Sequence, residues 1–126
     1  MSLRSPLGRV KGLGAAGEGT GHWWAQRLTA LALVPLTVWL VASLVTLSGA
    51  DYAVMRAWLG SPVVAGLLIL FLLASVHHAQ LGLQVVIEDY VHNEGAKLAL
   101  LLGVKALAVV LGLTGTLAIL SVLFAG

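Results

Sequence analysis

The chain contains no cysteine. That excludes disulfides, cysteine-ligated iron–sulfur clusters and covalent c-type haem attachment. Charge is nearly as scarce. Asp, Glu, Lys and Arg make up 10% of the 126 residues, against about 25% in ordinary soluble domains. The formal net charge of +2 is too slight to argue for nucleic acid, and no nucleic-acid partner is expected. What fills the chain is hydrocarbon: 60% of residues are hydrophobic and the mean hydropathy is +1.02. This is the composition of a small membrane protein with room for one domain at most.

Three long apolar runs stand out. "LTALALVPLTVWLVASLVTL" spans Leu28 to Leu47, "VVAGLLILFLLASV" begins at Val63, and "LALLLGVKALAVVLGLTGTLAILSVLFA" closes the chain. About 20 apolar residues at 1.5 Å each cross a hydrocarbon core of about 30 Å. The pattern predicts an all-α membrane protein with three transmembrane helices, at about 25–48, 62–88 and 96–124. "GADYAVMRAWLGSP" and "DYVHNEGAK" break the runs and read as loops. Pro35 is expected to kink the first helix. The first run is longer than the 7–15 residues usual in the apolar core of a signal peptide, and two further spans follow, so it is expected to remain as an anchor.

Residues 1–21 are basic and glycine-rich and read as a flexible arm, leaving 22–126 as the three-helix anchor. Within the arm, "GLGAAG" at 12–17 matches the spacing of a dinucleotide-binding loop. That loop requires a buried strand before it and a helix after it in a βαβ unit. Arg9, Val10 and Lys11 precede it here, so it reads as a linker.

Arg4, Arg9, Lys11 and Arg27 lie on the N-terminal side of the first span and Lys97 follows the second, whereas only Arg56 lies between the first two. The positive-inside rule then places the N-terminus and the His92 loop inside and the C-terminus outside. Trp23 and Trp24 fit an aromatic belt at the inner interface, and Trp58 one at the outer.

Ionisable groups within a span point to function. His77 and His78 sit slightly past the middle of the second helix. Neighbouring helical residues differ by about 100° in direction, so the pair cannot face one ligand. His78 shares its face with Ala74, Ser75 and Gly82, small residues that would clear the edge of a flat macrocycle. His77 shares its face with Leu73, Leu81 and Gln84. His78 is therefore the better candidate to ligate haem iron. Polar bonding between helices is an equal alternative for both histidines. Zinc is disfavoured because His77, His78 and His92 do not converge. His78 alone would leave one axial position of a haem open, and a second ligand would have to come from another chain. Asp89 and Tyr90 follow His78 by eleven and twelve residues, about 16–18 Å along a helix. They reach the inner interface, where they are either polar belt residues or parts of a small-molecule pocket. Lys105 reads as snorkelling toward the inside. Ala108, Gly112 and Thr116 form a small-residue stripe suited to close helix packing.

"HAQLGLQVVIEDYVH", His78 to His92, resembles the signature of the smaller membrane-anchor subunit of succinate dehydrogenase, respiratory complex II. "QRLTALALVPL", Gln26 to Leu36, resembles the start of that family's first helix. The resemblance covers most of the chain from about His22 onward. It implies that His78 is an axial ligand of haem b, with the partner anchor (cytochrome b) subunit supplying the other. It implies that Tyr90 hydrogen-bonds ubiquinone, that Asp89 is the acidic residue beside it, that Arg27 lies near the haem propionates and quinone pocket, and that Gly82 gives the haem clearance. His77 is not required by the signature and receives no role. The chain has no flavin motif, so succinate oxidation and the iron–sulfur relay would belong to a flavoprotein subunit and an iron–sulfur subunit. The implied location is the bacterial inner membrane, with the mitochondrial inner membrane as the alternative. Other readings are an anchor of a quinol:fumarate reductase, a haem-free structural membrane subunit, and a transporter subunit relaying protons through His77, His78 and Asp89.

Overall fold

A computed structural model describes residues 6–10 and 16–125, with only the backbone of residues 8, 9 and 16–18. The described part is all-helical: α1 (Pro6–Val10), α2 (Ala16–Thr46), α3 (Tyr52–Leu59), α4 (Pro62–Tyr90) and α5 (Glu94–Phe124). Among the described residues, α2, α4 and α5 are long and apolar enough to cross a membrane. The three expected spans are therefore present, with different ends. α2 begins at Ala16 rather than near residue 25, α4 runs on to Tyr90, and α5 starts at Glu94. The residues expected to form an arm are helical at Pro6–Val10 and from Ala16. Residues 1–5 and 11–15, with Arg4, Lys11 and most of the glycine motif, lie outside the described part.

Local chemistry sets most of these ends. Pro62 sits at the start of α4, where its missing N–H costs no helical bond. Asn93 caps α5, its side chain accepting from Ala96 N–H at 2.9 Å. Asp51 caps α3 in the same way, accepting from Val54 N–H at 2.9 Å. Gly49 turns the chain after α2 with φ 82°, a conformation that a β-carbon disfavours. Besides α1, α3 is missing from the expected architecture. Its eight residues are too few to show a periodic run, yet Asp51 and Gly60 cap it at both ends. Trp58 on α3 stacks on Trp39 of α2, with ring centroids 6.0 Å apart. α2 continues as one helix through Pro35.

α4 is the central helix. It packs against α2 on one side and α5 on the other, and among the described residues the backbones of α2 and α5 do not come together. The three spans form an open layer instead of a closed bundle. Very little becomes buried: Ala65, Leu81 and Ile87 are the buried hydrophobic residues among those described, joined by Gly112 on α5. The expected stripe of Ala108, Gly112 and Thr116 faces the groove between α5 and α4. Gly112 lets Leu73 approach, and at Gly115 a β-carbon would stand only 2.5 Å from Leu72 Cδ2. Close packing is thus concentrated at the α4–α5 contact.

Candidate functional site

α2 turns one stripe inward. His22, Gln26, Thr29, Leu33, Leu36 and Leu40 are all half-buried, at spacings of three or four residues. Among the described residues, α4 is the only span whose backbone packs against α2, so this stripe faces α4. At its centre, Thr29 Oγ1 lies 3.0 Å from His78 Nδ1, a contact joining residues 49 apart in sequence. His78 is half-buried. One turn further along α4, a β-carbon added at Gly82 would meet nothing within 4 Å, so the space beside His78 is open.

Two further polar atoms lie on the same stripe of α2. His22 Nε2 and Gln26 Oε1 are buried and have no hydrogen-bond partner among the described residues. Gln26 sits one turn and His22 two turns from Thr29, toward the N-terminal end of the helix. Buried polar groups are nearly always satisfied. Two orphans in one stripe beside the His78 contact mark a place where another polar group would be accommodated.

His77 points elsewhere. It is exposed and lines an open groove of about 670 Å³ between α4 and α5 with Gln80, Lys105, Ala108, Gly112 and Thr116. The two histidines therefore face different helices, as their spacing predicts. Gln80, Gln84 and Glu88 form a ladder along α4, with Gln80 Nε2 3.5 Å from Gln84 Oε1 and Gln84 Nε2 donating to Glu88 Oε1 at 3.1 Å.

Asp89 and Tyr90 end α4. Both are exposed, Tyr90 by 77%, and neither makes a hydrogen bond through its side chain among the described residues. Asp89 lies eleven residues from His78, about three full turns, and so shares its face of α4; Tyr90 is about 120° away. Beyond them, Glu94 pairs with Lys97 at 3.6 Å.

Arg27 is not brought to His78. It follows Gln26 and precedes Thr29 by two residues, about 200° around the helix, and is exposed. Its guanidinium lies over the Trp23 ring, 5.2 Å from the centroid, and Trp23 packs edge-on against Trp24 at 5.0 Å. Among the described residues, no three His, Asp or Glu side chains gather around a common point.

The family model of the succinate dehydrogenase/fumarate reductase transmembrane subunit matches residues 1–112. The chain belongs to this family. It is 32% identical over 107 residues to the succinate dehydrogenase hydrophobic membrane anchor subunit of Rickettsia bellii, covering 85% of this chain and 86% of that one. Against the subunit of the same description from Paracoccus denitrificans, identity is 31% over 104 residues, covering 82% and 81% of the two chains. The succinate dehydrogenase membrane anchor subunit of Reclinomonas americana is 28% identical over 96 residues, covering 73% and 79%. The resemblance read from His78–His92 and Gln26–Leu36 is thereby borne out. The anchor is a multi-pass membrane protein whose three long apolar helices carry few charges.

Sequence reasoning singled out His78, Gly82, Asp89, Tyr90 and Arg27, but gave no role to Thr29, Gln26 or His22. A signal for all three was available. Polar residues at i, i+4 and i+7, entering an apolar run, mark one helix face that must meet another helix rather than lipid.

Proposed function

We propose that this anchor serves a succinate:ubiquinone oxidoreductase, holding the flavoprotein and iron–sulfur subunits at the membrane, sharing haem b with the partner anchor subunit, and completing the quinone-reduction site. The observation that carries this reading is the setting of His78. Its Nδ1 is engaged by Thr29, its neighbour Gly82 leaves open space, and no other histidine lies on its face. These residues fit a planar group ligated by one histidine from this chain, with the second ligand from the partner. Bound haem supplies a one-electron redox centre within the bilayer.

The chain's own contribution to quinone reduction lies at the end of α4. Ubiquinone takes up two electrons and two protons. The exposed Tyr90 hydroxyl is free to donate to a quinone carbonyl, and Asp89, acceptor-only when ionised, is placed to orient neighbours or pass protons. Arg27, on the opposite face of α2 from Thr29, would act toward a propionate or quinone held between this chain and its partner. The distribution of Lys and Arg supports an inner location for the N-terminus and the His92 loop, and an outer one for the C-terminus. The bacterial relatives favour the bacterial cytoplasmic membrane.

Replacing each histidine by alanine in the assembled complex tests this function. His78→Ala should abolish the low-spin b-type spectrum and His77→Ala should retain it. The reverse pattern would overturn the assignment. Gly82→Leu should also deplete haem without loss of assembly, since a β-carbon at Gly82 meets nothing within 4 Å in this chain.

A further inference from the structure

We infer that Thr29 is a positioning residue for His78, fixing the imidazole in the tautomer that leaves Nε2 as the nitrogen with the free lone pair. The inference rests on the reading of His78 as an iron ligand. It follows from counting protons. A threonine hydroxyl has one hydrogen and two acceptor lone pairs. Thr29 Oγ1 lies 2.7 Å from the Ala25 carbonyl oxygen and 3.1 Å from that of Gln26. Carbonyl oxygens only accept, so the hydroxyl hydrogen is committed to the preceding turn of α2. Toward His78, at 3.0 Å, the Thr29 oxygen must then accept. The donor is Nδ1–H, and a neutral imidazole protonated at Nδ1 has its lone pair at Nε2.

The opposite arrangement, with Thr29 donating to Nδ1, would put the imidazole hydrogen on Nε2 and remove its capacity to ligate. It would also abandon the two carbonyl contacts on α2. Within a membrane span few competing donors or acceptors exist, so this one contact between α2 and α4 sets both the ring's orientation and its proton. Hydrogen bonds of this kind orient a ligating histidine and raise its basicity toward the metal, and their loss commonly costs about 10–100-fold in affinity or activity.

The test uses the assembled complex, with haem transfer to excess apomyoglobin and the low-spin spectrum both measured per assembled complex. Thr29→Val keeps the side-chain shape and removes the acceptor. It should speed haem loss by about 10–100-fold and shift the low-spin signal, while Thr29→Ser stays near wild type. Thr29→Ala, which adds no bulk, should behave like valine and supplies the measurement if the valine variant assembles poorly. Ser43→Ala is the control for a lost helix bond. Ser43 donates to the Trp39 carbonyl at 2.7 Å on the same helix, with no histidine upon it, so haem retention should not change. Wild-type retention and spectrum in both Thr29→Val and Thr29→Ala would overturn the inference while leaving His78 as ligand. A haem spectrum that survives His78→Ala would overturn the ligand reading and this inference with it.

Discussion

Removing the Tyr90 hydroxyl separates a role in quinone reduction from a role in the fold. Tyr90 is 77% exposed, and its hydroxyl has no hydrogen-bond partner among the described residues. Tyr90→Phe keeps the ring and therefore leaves the end of α4, capped by Val91 N–H bonding to the Ile87 carbonyl at 3.0 Å, undisturbed. Any cost falls on the quinone. A hydrogen bond between neutral partners contributes about 0.5–1.5 kcal/mol, and one to a charged group up to about 3 kcal/mol. At about 1.36 kcal/mol per tenfold in rate, electron transfer should slow by about 2- to 13-fold for a neutral carbonyl, and by up to about 150-fold where negative charge develops on the oxygen. The assay is succinate-driven quinone reduction, compared with succinate oxidation by an artificial acceptor that takes electrons upstream. Only the first should fall, and the haem spectrum should persist. If both activities fell together, Tyr90 would be an assembly residue; if neither changed, the hydroxyl would have no part in quinone reduction.

Two further outcomes test the packing. Gly115→Ala should lower the thermal stability of the complex, because overpacking against Leu72 costs about 1–3 kcal/mol and the gain in helix propensity, about 1 kcal/mol in water, does not offset its upper range. Gly103→Ala on the same helix meets nothing within 4 Å and should be neutral or stabilising; equal shifts in the two midpoints would contradict the close approach of α4 and α5. The isolated anchor in detergent should show neither a bis-histidine haem spectrum nor succinate-driven quinone reduction, and appearance of both would refute the need for partner chains.

Much of the membrane architecture was legible because it depends on composition over long windows. The apolar runs located three spans, and the i, i+4 periodicity separated the faces of His77 and His78 before any neighbour was known. α3 escaped notice for the opposite reason: eight residues with one arginine resemble a loop until their caps are recognised. The early start of α2 was hidden by Gly17, Gly19 and Gly21, poor helix formers that nevertheless lie in or next to its first turns.

The sequence by itself determined the number of long helices and which residues of one helix share a face, since each depends on local spacing or on apolar length; the family entered through the resemblance of His78–His92 and Gln26–Leu36 to a known anchor subunit. Only the tertiary structure decided that Thr29 meets His78, that His22 Nε2 and Gln26 Oε1 are left buried without partners among the described residues, that Arg27 turns to Trp23, and that the described backbones of α2 and α5 stay apart. The physical reason is the uniform hydrophobicity of these helices. A helix apolar on nearly every side carries little signal of its rotation about its own axis, so its orientation is set by where side chains of the neighbouring helix fit.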